Sequence, residues 1–178
     1  LKYYLYGPFV LPRSKEDNLI FLDDGFRAAF WNKVEATEDW LSQTCGCYVF
    51  GLRSGGGILP WYVGKAERQS FKAECLSVDK VRKFNSVLAS GIKGTPVMYF
   101  YARTTPGTWQ FSRPSTARHN DIRFVERSLI AFALDRNPNL INKQETKMYR
   151  TLIVPGWLNT PAGALSQAAS DLKTVMGY

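Results

Sequence analysis

The chain has 178 residues and a formal net charge of +8, from 23 lysines and arginines against 15 aspartates and glutamates. Its 45% apolar and 14% aromatic content is enough to bury a core, which excludes a disordered chain. No run of about 18 apolar residues occurs, so no membrane-spanning helix is expected, and the length suits one domain or one domain with an added subdomain.

Residues 1–44 read as an N-terminal extension packed on a core. Leu1-Lys2-Tyr3-Tyr4 has no charged stretch before an apolar one, so no signal peptide is expected. Tyr3 to Leu11 is aromatic-rich and reads as a strand closed by Pro12, and Asn18 to Leu22 as a second short strand. Asp24-Gly25 precedes a helix in which Phe26, Phe30 and Val34 recur at helical spacing. Cys45 to Arg53 is then an apolar strand, Ser54-Gly55-Gly56-Gly57 a flexible turn, and Trp61-Tyr62-Val63 the start of a second strand ended by Gly64. Two strands joined by a short glycine loop predict an antiparallel hairpin.

Asp79 to Ala89 follows as a helix with Val81, Phe84 and Leu88 on one face, capped by Ser77 or Asp79 and ended by Ser90-Gly91. Pro96 to Arg103 is the third strand, and a polar loop runs from Thr104 to Arg118. Asp121 to Arg136 is a long helix stopped by Asn137-Pro138. The order predicts an α+β fold: a small, mainly antiparallel three-stranded sheet flanked by helices, over residues 45–143. Residues 144–178 are a C-terminal extension, and its tail from Thr160 to Tyr178 carries Leu165, Leu172, Val175 and Met176 at amphipathic spacing, for packing on the core or on a second copy of the chain.

The long helix holds the most informative residue. At 100° per residue from Ile122, Val125, Leu129 and Ala133 fall within roughly 60° and form the core-facing stripe. Glu126 falls at about 40°, inside that stripe, whereas Arg123 and Arg127 lie farther round and can reach water. An unpaired, ionised carboxylate there would be destabilising by several kcal/mol. Glu126 must therefore face a cation, a metal or a wet cleft.

The hairpin carries the second signal. Gly46-Cys47-Tyr48 on one strand and Tyr62-Val63-Gly64 on the next, with a helical Glu126 and then Asn142 downstream, resemble the signatures of the GIY-YIG nuclease superfamily. Tyr62-Val63-Gly64-Lys65-Ala66 also looks like the corresponding stretch of the bacterial excision-repair nuclease subunit. The resemblance spans residues 45–143. It departs at the phosphate clamp, where the family's helix Arg falls on Lys72, with Arg68 four positions early, and the usual His falls on Leu76.

The resemblance implies a metal-dependent endonuclease that hydrolyses phosphodiester bonds, in DNA more than RNA, with Mg²⁺ (or Mn²⁺) held by Glu126. In that scheme Tyr48 activates water, at about 4 kcal/mol for an unperturbed phenol at pH 7, with Lys65 as the nearest cation in sequence to lower the demand. Tyr62 holds the water or the phosphate, Lys72 or Arg68 neutralises phosphoryl charge, and Asn142 steadies the metal-site loop or a tyrosine. Lys80, Arg82, Lys83, Lys93, Arg118 and Arg123, with Arg113 nearby, form the nucleic-acid-binding set. Trp109 and Phe111 are candidates for base stacking or for a packing plug.

Three readings compete. A catalytically inactive nucleic-acid-binding module on the same fold suits the altered clamp, and a protein–protein module would make the charge incidental. Cys45, Cys47, Cys75 and His119 match a Cys₃His zinc set by composition, although Cys-Gly-Cys lies inside an apolar strand. Three cysteines are too few for a disulfide scaffold, so reduced thiols in a cytoplasmic protein are expected. Nucleic acid is the expected partner, with no membrane, and a homodimer is admissible.

Overall fold

The computed structural model describes residues 1–14, 16–21, 23–142, 146–154, 160, 163 and 165–176. The apolar hairpin forms as expected: β2 (Gly46–Ser54) pairs antiparallel with β3 (Gly57–Ala66) across the Gly55-Gly56 turn. Gly64 does not end the second strand but lies within it, opposite Tyr48. Pro60 is tolerated in β3 because β3 is an edge strand and the register slips beside it, between Phe50 and Gly51. β4 (Thr95–Arg103) lies on the other side of β2.

The sheet has four strands, not three. β1 (Tyr3–Val10) pairs antiparallel with the outer side of β4, from Tyr3 opposite Arg103 to Val10 opposite Val97, giving the order β1-β4-β2-β3. Without β1, the outer side of β4 would be a row of unpaired backbone groups. Tyr3–Val10 is thus part of the sheet, while the rest of the first 44 residues packs on it through α1 (Asp24–Glu35). The expected strand over 18–22 is reduced to an isolated bridge between Arg13 and Ile20, with Leu22 outside the described residues. There Asn18 takes a left-handed conformation (φ 60°) and the Asp17 carboxylate accepts the Leu19 N–H, a turn rather than a strand.

Alternation along the strands divides the core between two faces. On one, Tyr48, Phe50, Tyr62, Met98 and Phe100 pack against α1 (Asp24–Glu35), α2 (Phe71–Glu74) and α3 (Val78–Ala89), through Phe30, Trp31, Val34, Phe71 and Phe84. On the other, Cys45, Cys47, Val49 and Val63 pack against Ile122 and Ile130 of α4 (Asn120–Arg136). The layers are therefore helices, sheet, helix. The proposed zinc set is split by the sheet, with Cys75 in the first core and Cys45 and Cys47 in the second, all three as free thiols.

Two further helices follow, α5 (Thr146–Thr151) and α6 (Gln167–Val175). Among the described residues α6 buries no side chain, and Leu172, Val175 and Met176 are exposed, so of the two expected partners α6 does not bury its apolar face on the core. The expected boundary at residue 143 and the tail positions 161, 162, 164, 177 and 178 lie outside the described residues. Among those residues no helix is long and apolar enough to cross a membrane.

Candidate functional site

Glu126 takes the place its periodicity assigns. Ile122 and Ile130, one turn either side, are buried under the sheet, and the Glu126 side chain is only 16% exposed. Its partner is Lys65 on β3, whose Nζ donates to Oε2 at 2.5 Å. Lys65 points to this face because it follows Gly64 by one position on the pleat, whereas Tyr62 points to the opposite face.

On that opposite face Tyr62 meets α3. Lys80 Nζ donates to the Tyr62 hydroxyl at 3.3 Å and pairs with Glu74 Oε1 at 3.2 Å. The Lys80 and Lys83 ammonium groups lie 5.6 and 5.9 Å from the centre of the Tyr62 ring. Burial opposes the charge on Lys80, but Tyr62 and Glu74 outweigh it and hold its pKa above the usual lysine value. Lys80 is thus a fixed cation in neutral solution.

The two pairs meet because β3 is an edge strand. A cleft of about 370 Å³ wraps this edge between α3 and α4, lined by Tyr62, Lys65, Lys80, Lys83, Arg123, Glu126 and Arg127, and closed by Ile141 and Asn142. Five basic side chains and one carboxylate line it, while Glu74, Asp79 and Glu67 pair with Lys80, Lys83 and Arg123 from its margins. The Asn142 side chain accepts from Val63 N–H at 2.9 Å and donates to Val63 C=O at 2.7 Å, and Ile141 N–H donates to Trp61 C=O at 3.0 Å. Asn142 therefore satisfies the open edge of β3 and fixes the strand that bears Tyr62 and Lys65. The expected partner was the metal-site loop or a tyrosine; the side chain instead holds the Val63 backbone.

Glu67 had no signal in the sequence. It is 8% exposed, accepts the His119 N–H at 2.7 Å at the start of α4, and lies 3.5 Å from Arg123. Burial would raise its pKa, but the His119 N–H, Arg123 and Lys65 hold the carboxyl below the usual range. Glu67 anchors α4 beside the cleft. Only the three-dimensional approach of the β3 end to the α4 start reveals it.

Tyr48 is a correction. It is fully buried, one layer behind Tyr62 at a ring separation of 6.1 Å, and does not line the cleft. Its ring lies across Gly64, where a Cβ would fall 2.4 Å from the Tyr48 Cζ. Burial, and then the nearby Cys75, Tyr62 and Glu74, push its phenol well above 10. A group so placed cannot take a proton from cleft water. Its hydroxyl makes no hydrogen bond of good geometry among the described residues, with Tyr62 close enough to be a weak partner, so Tyr48→Phe is expected to change stability by about 1 kcal/mol or less. Denaturant unfolding checks this, and a larger loss of stability would show that the hydroxyl is satisfied.

The sequence-derived clamp also moves. Lys72 is exposed on α2 and acts on Glu35, whose carboxylate accepts the Trp40 and Ser42 N–H groups. Arg68 is exposed in the turn after β3, and neither lines the cleft. Lys80, from the nucleic-acid-binding set, is the cation that reaches Tyr62. Lys83 and Arg123 line the cleft with it. Arg82 lies on other grooves beside α3, and Lys93 and Arg118 are exposed away from the cleft.

Among the described residues no group of three or more His, Cys, Asp or Glu side chains comes together. The one carboxylate lining the cleft, Glu126, would serve a hard, mostly hydrated cation only after releasing Lys65. Compared with family models, curated proteins and solved structures, the chain gives no match.

Proposed function

We propose that the β3-edge cleft hydrolyses phosphodiester bonds in nucleic acid, DNA more than RNA, as the resemblance to the GIY-YIG nucleases implies. The observation that carries this reading is the convergence of Tyr62–Lys80 and Lys65–Glu126 on one basic cleft from three separate elements. Glu126 would hold a Mg²⁺ or Mn²⁺ ion, which supplies charge neutralisation at the phosphoryl and leaving oxygens.

The chain's own side chains supply the rest. Lys83 and Arg123 hold phosphate in the cleft. Lys65 leaves Glu126 for a phosphoryl oxygen when substrate enters, exchanging one anionic partner for another. Tyr62 accepts the proton of the attacking water. To do so it first releases its own phenol proton to solvent, at about 4 kcal/mol for an ordinary phenol at pH 7, with Lys80 Nζ as the hydrogen-bond donor on that oxygen.

The test is a cleavage panel on single- and double-stranded DNA and RNA, with and without Mg²⁺ or Mn²⁺, with Glu126→Ala as the control. Metal-dependent cleavage by the wild-type chain alone is expected. The Lys65–Glu126 pair, already neutralised without metal, favours a second reading as a non-catalytic binding module. Salt-sensitive binding without cleavage under any metal would establish that module and sink the nuclease.

A further inference from the structure

At the opposite edge of the sheet, three strands and about 14 Å from β3, β1 borders a second groove of about 630 Å³. Its walls are aromatic: Tyr4, Trp40 and Trp109, with Glu38, Asp39 and Arg113 between them. Trp40 is 60% exposed and Trp109 is 52% exposed, whereas Trp31 and Trp61 are buried. Both exposed tryptophans also sit in left-handed backbone conformations, φ 68° and 58°, which glycine would adopt without strain. Neither burial nor backbone preference explains these two residues. Phe111, by contrast, packs edge-on against Tyr6 at 6.0 Å and is the plug of its loop.

Cations already mark the exposed rings. The Arg113 guanidinium lies 4.7 Å from the centre of the Trp40 ring. The Lys2 ammonium lies 4.4 Å from that of Tyr4 and 5.9 Å from that of Trp109. Flat aromatic faces flanked by cations are the combination that takes unpaired bases and their phosphates. Glu38 and Asp39 are acceptors for exocyclic amino groups, which cytosine has and thymine lacks. A methylated ammonium is the competing occupant, favoured by Glu38 and Asp39 and opposed by Arg113 and Lys2.

We propose that this groove binds a single-stranded stretch of nucleic acid, with bases stacked on Trp40 and Trp109 and phosphates held by Lys2 and Arg113. The choice of nucleic acid rests on the reading of the β3-edge cleft, which this groove would supply with a strand anchored on the far side of the sheet.

The test is fluorescence anisotropy of labelled oligo-dC, oligo-dT and a blunt duplex, on the full chain in EDTA so that no cleavage occurs. Trp40→Gly and Trp109→Gly are each expected to weaken oligo-dC binding by about tenfold, to leave duplex binding unchanged and to keep the wild-type Tm, since glycine suits both backbones. Oligo-dC should bind more tightly than oligo-dT. If a glycine variant fails to fold, Arg113→Gln must show the loss in oligo-dC binding. Wild-type oligo-dC affinity in the folded variants overturns the proposal, and cleavage of duplex by the same preparations would then leave the cleft reading standing. Tryptophan-dependent oligo-dC binding in a chain that cleaves nothing would sink the cleft reading alone. Quenching by tetramethylammonium without oligonucleotide binding would reassign the groove to a cation and overturn the proposal.

Discussion

Glu126→Ala removes metal-dependent cleavage, an expected fall of about 10²–10³-fold or more, with little change in stability. The stability half follows from exposure. Lys65 is 32% exposed and can hydrate once its partner is gone, so the lost pair is worth about 1 kcal/mol or less. A purely structural salt bridge makes the opposite forecast, with activity kept and stability lost. Glu126→Gln sharpens the contrast, since it keeps the shape of the helix face and removes only the charge, and it should cleave as poorly as the alanine variant. Without metal, both variants should bind nucleic acid at least as tightly as the wild type, because the carboxylate that holds Lys65 has gone. Cleavage at the wild-type rate in either variant would remove Glu126 from the chemistry. A coupled fall in binding and melting temperature would return it to the role of an ion-pair partner.

The parts of this site that were legible in the sequence are those set by local periodicity. Glu126 between Ile122 and Ile130 is a property of one helix, and the Tyr48–Tyr62 hairpin is a property of two adjacent strands. What the hairpin alone cannot specify is which strand becomes the edge. β4 pairs with β2 and not with β3, so β2 is central and Tyr48 is sealed, while Tyr62 on β3 opens to the cleft. The glycine of the second signature then has a packing reason, since the Tyr48 ring occupies the space of its missing side chain. Lys72 falls outside the cleft for a similar reason. Counting from Gly64 reaches Lys72, but the short α2 turn carries that residue toward Glu35, and only the next helix brings a lysine back to Tyr62. The place of β1 in the sheet is not legible locally, because its partner is about a hundred residues away in sequence, at a distance where periodicity carries no information.

Lys80→Met and Tyr62→Phe are the second pair of large losses, each expected to lower kcat by about 10²–10³-fold. Lys72→Ala and Arg68→Ala should stay near the wild-type rate. The Lys80 side chain is 16% exposed and held between Glu74 and Tyr62, so its ammonium is aimed at the phenol oxygen and does not roam the surface. A group positioned in this way acts on the anion that forms during reaction more than on bound substrate, and the loss should fall on kcat with KM little changed. Lys83→Ala, which removes a more exposed cation of the same cleft, should mainly raise KM and flatten the salt dependence of binding. The double variant of Lys80 and Tyr62 should be hardly worse than either single one, because the ammonium has no further role once the phenol is absent. Additive losses would mean that Lys80 works on the phosphate directly. Full activity in Tyr62→Phe would mean that the proton of the attacking water goes elsewhere, and Lys80→Arg separates the two cases further, since a guanidinium fork suits phosphate better than it suits a single phenol oxygen.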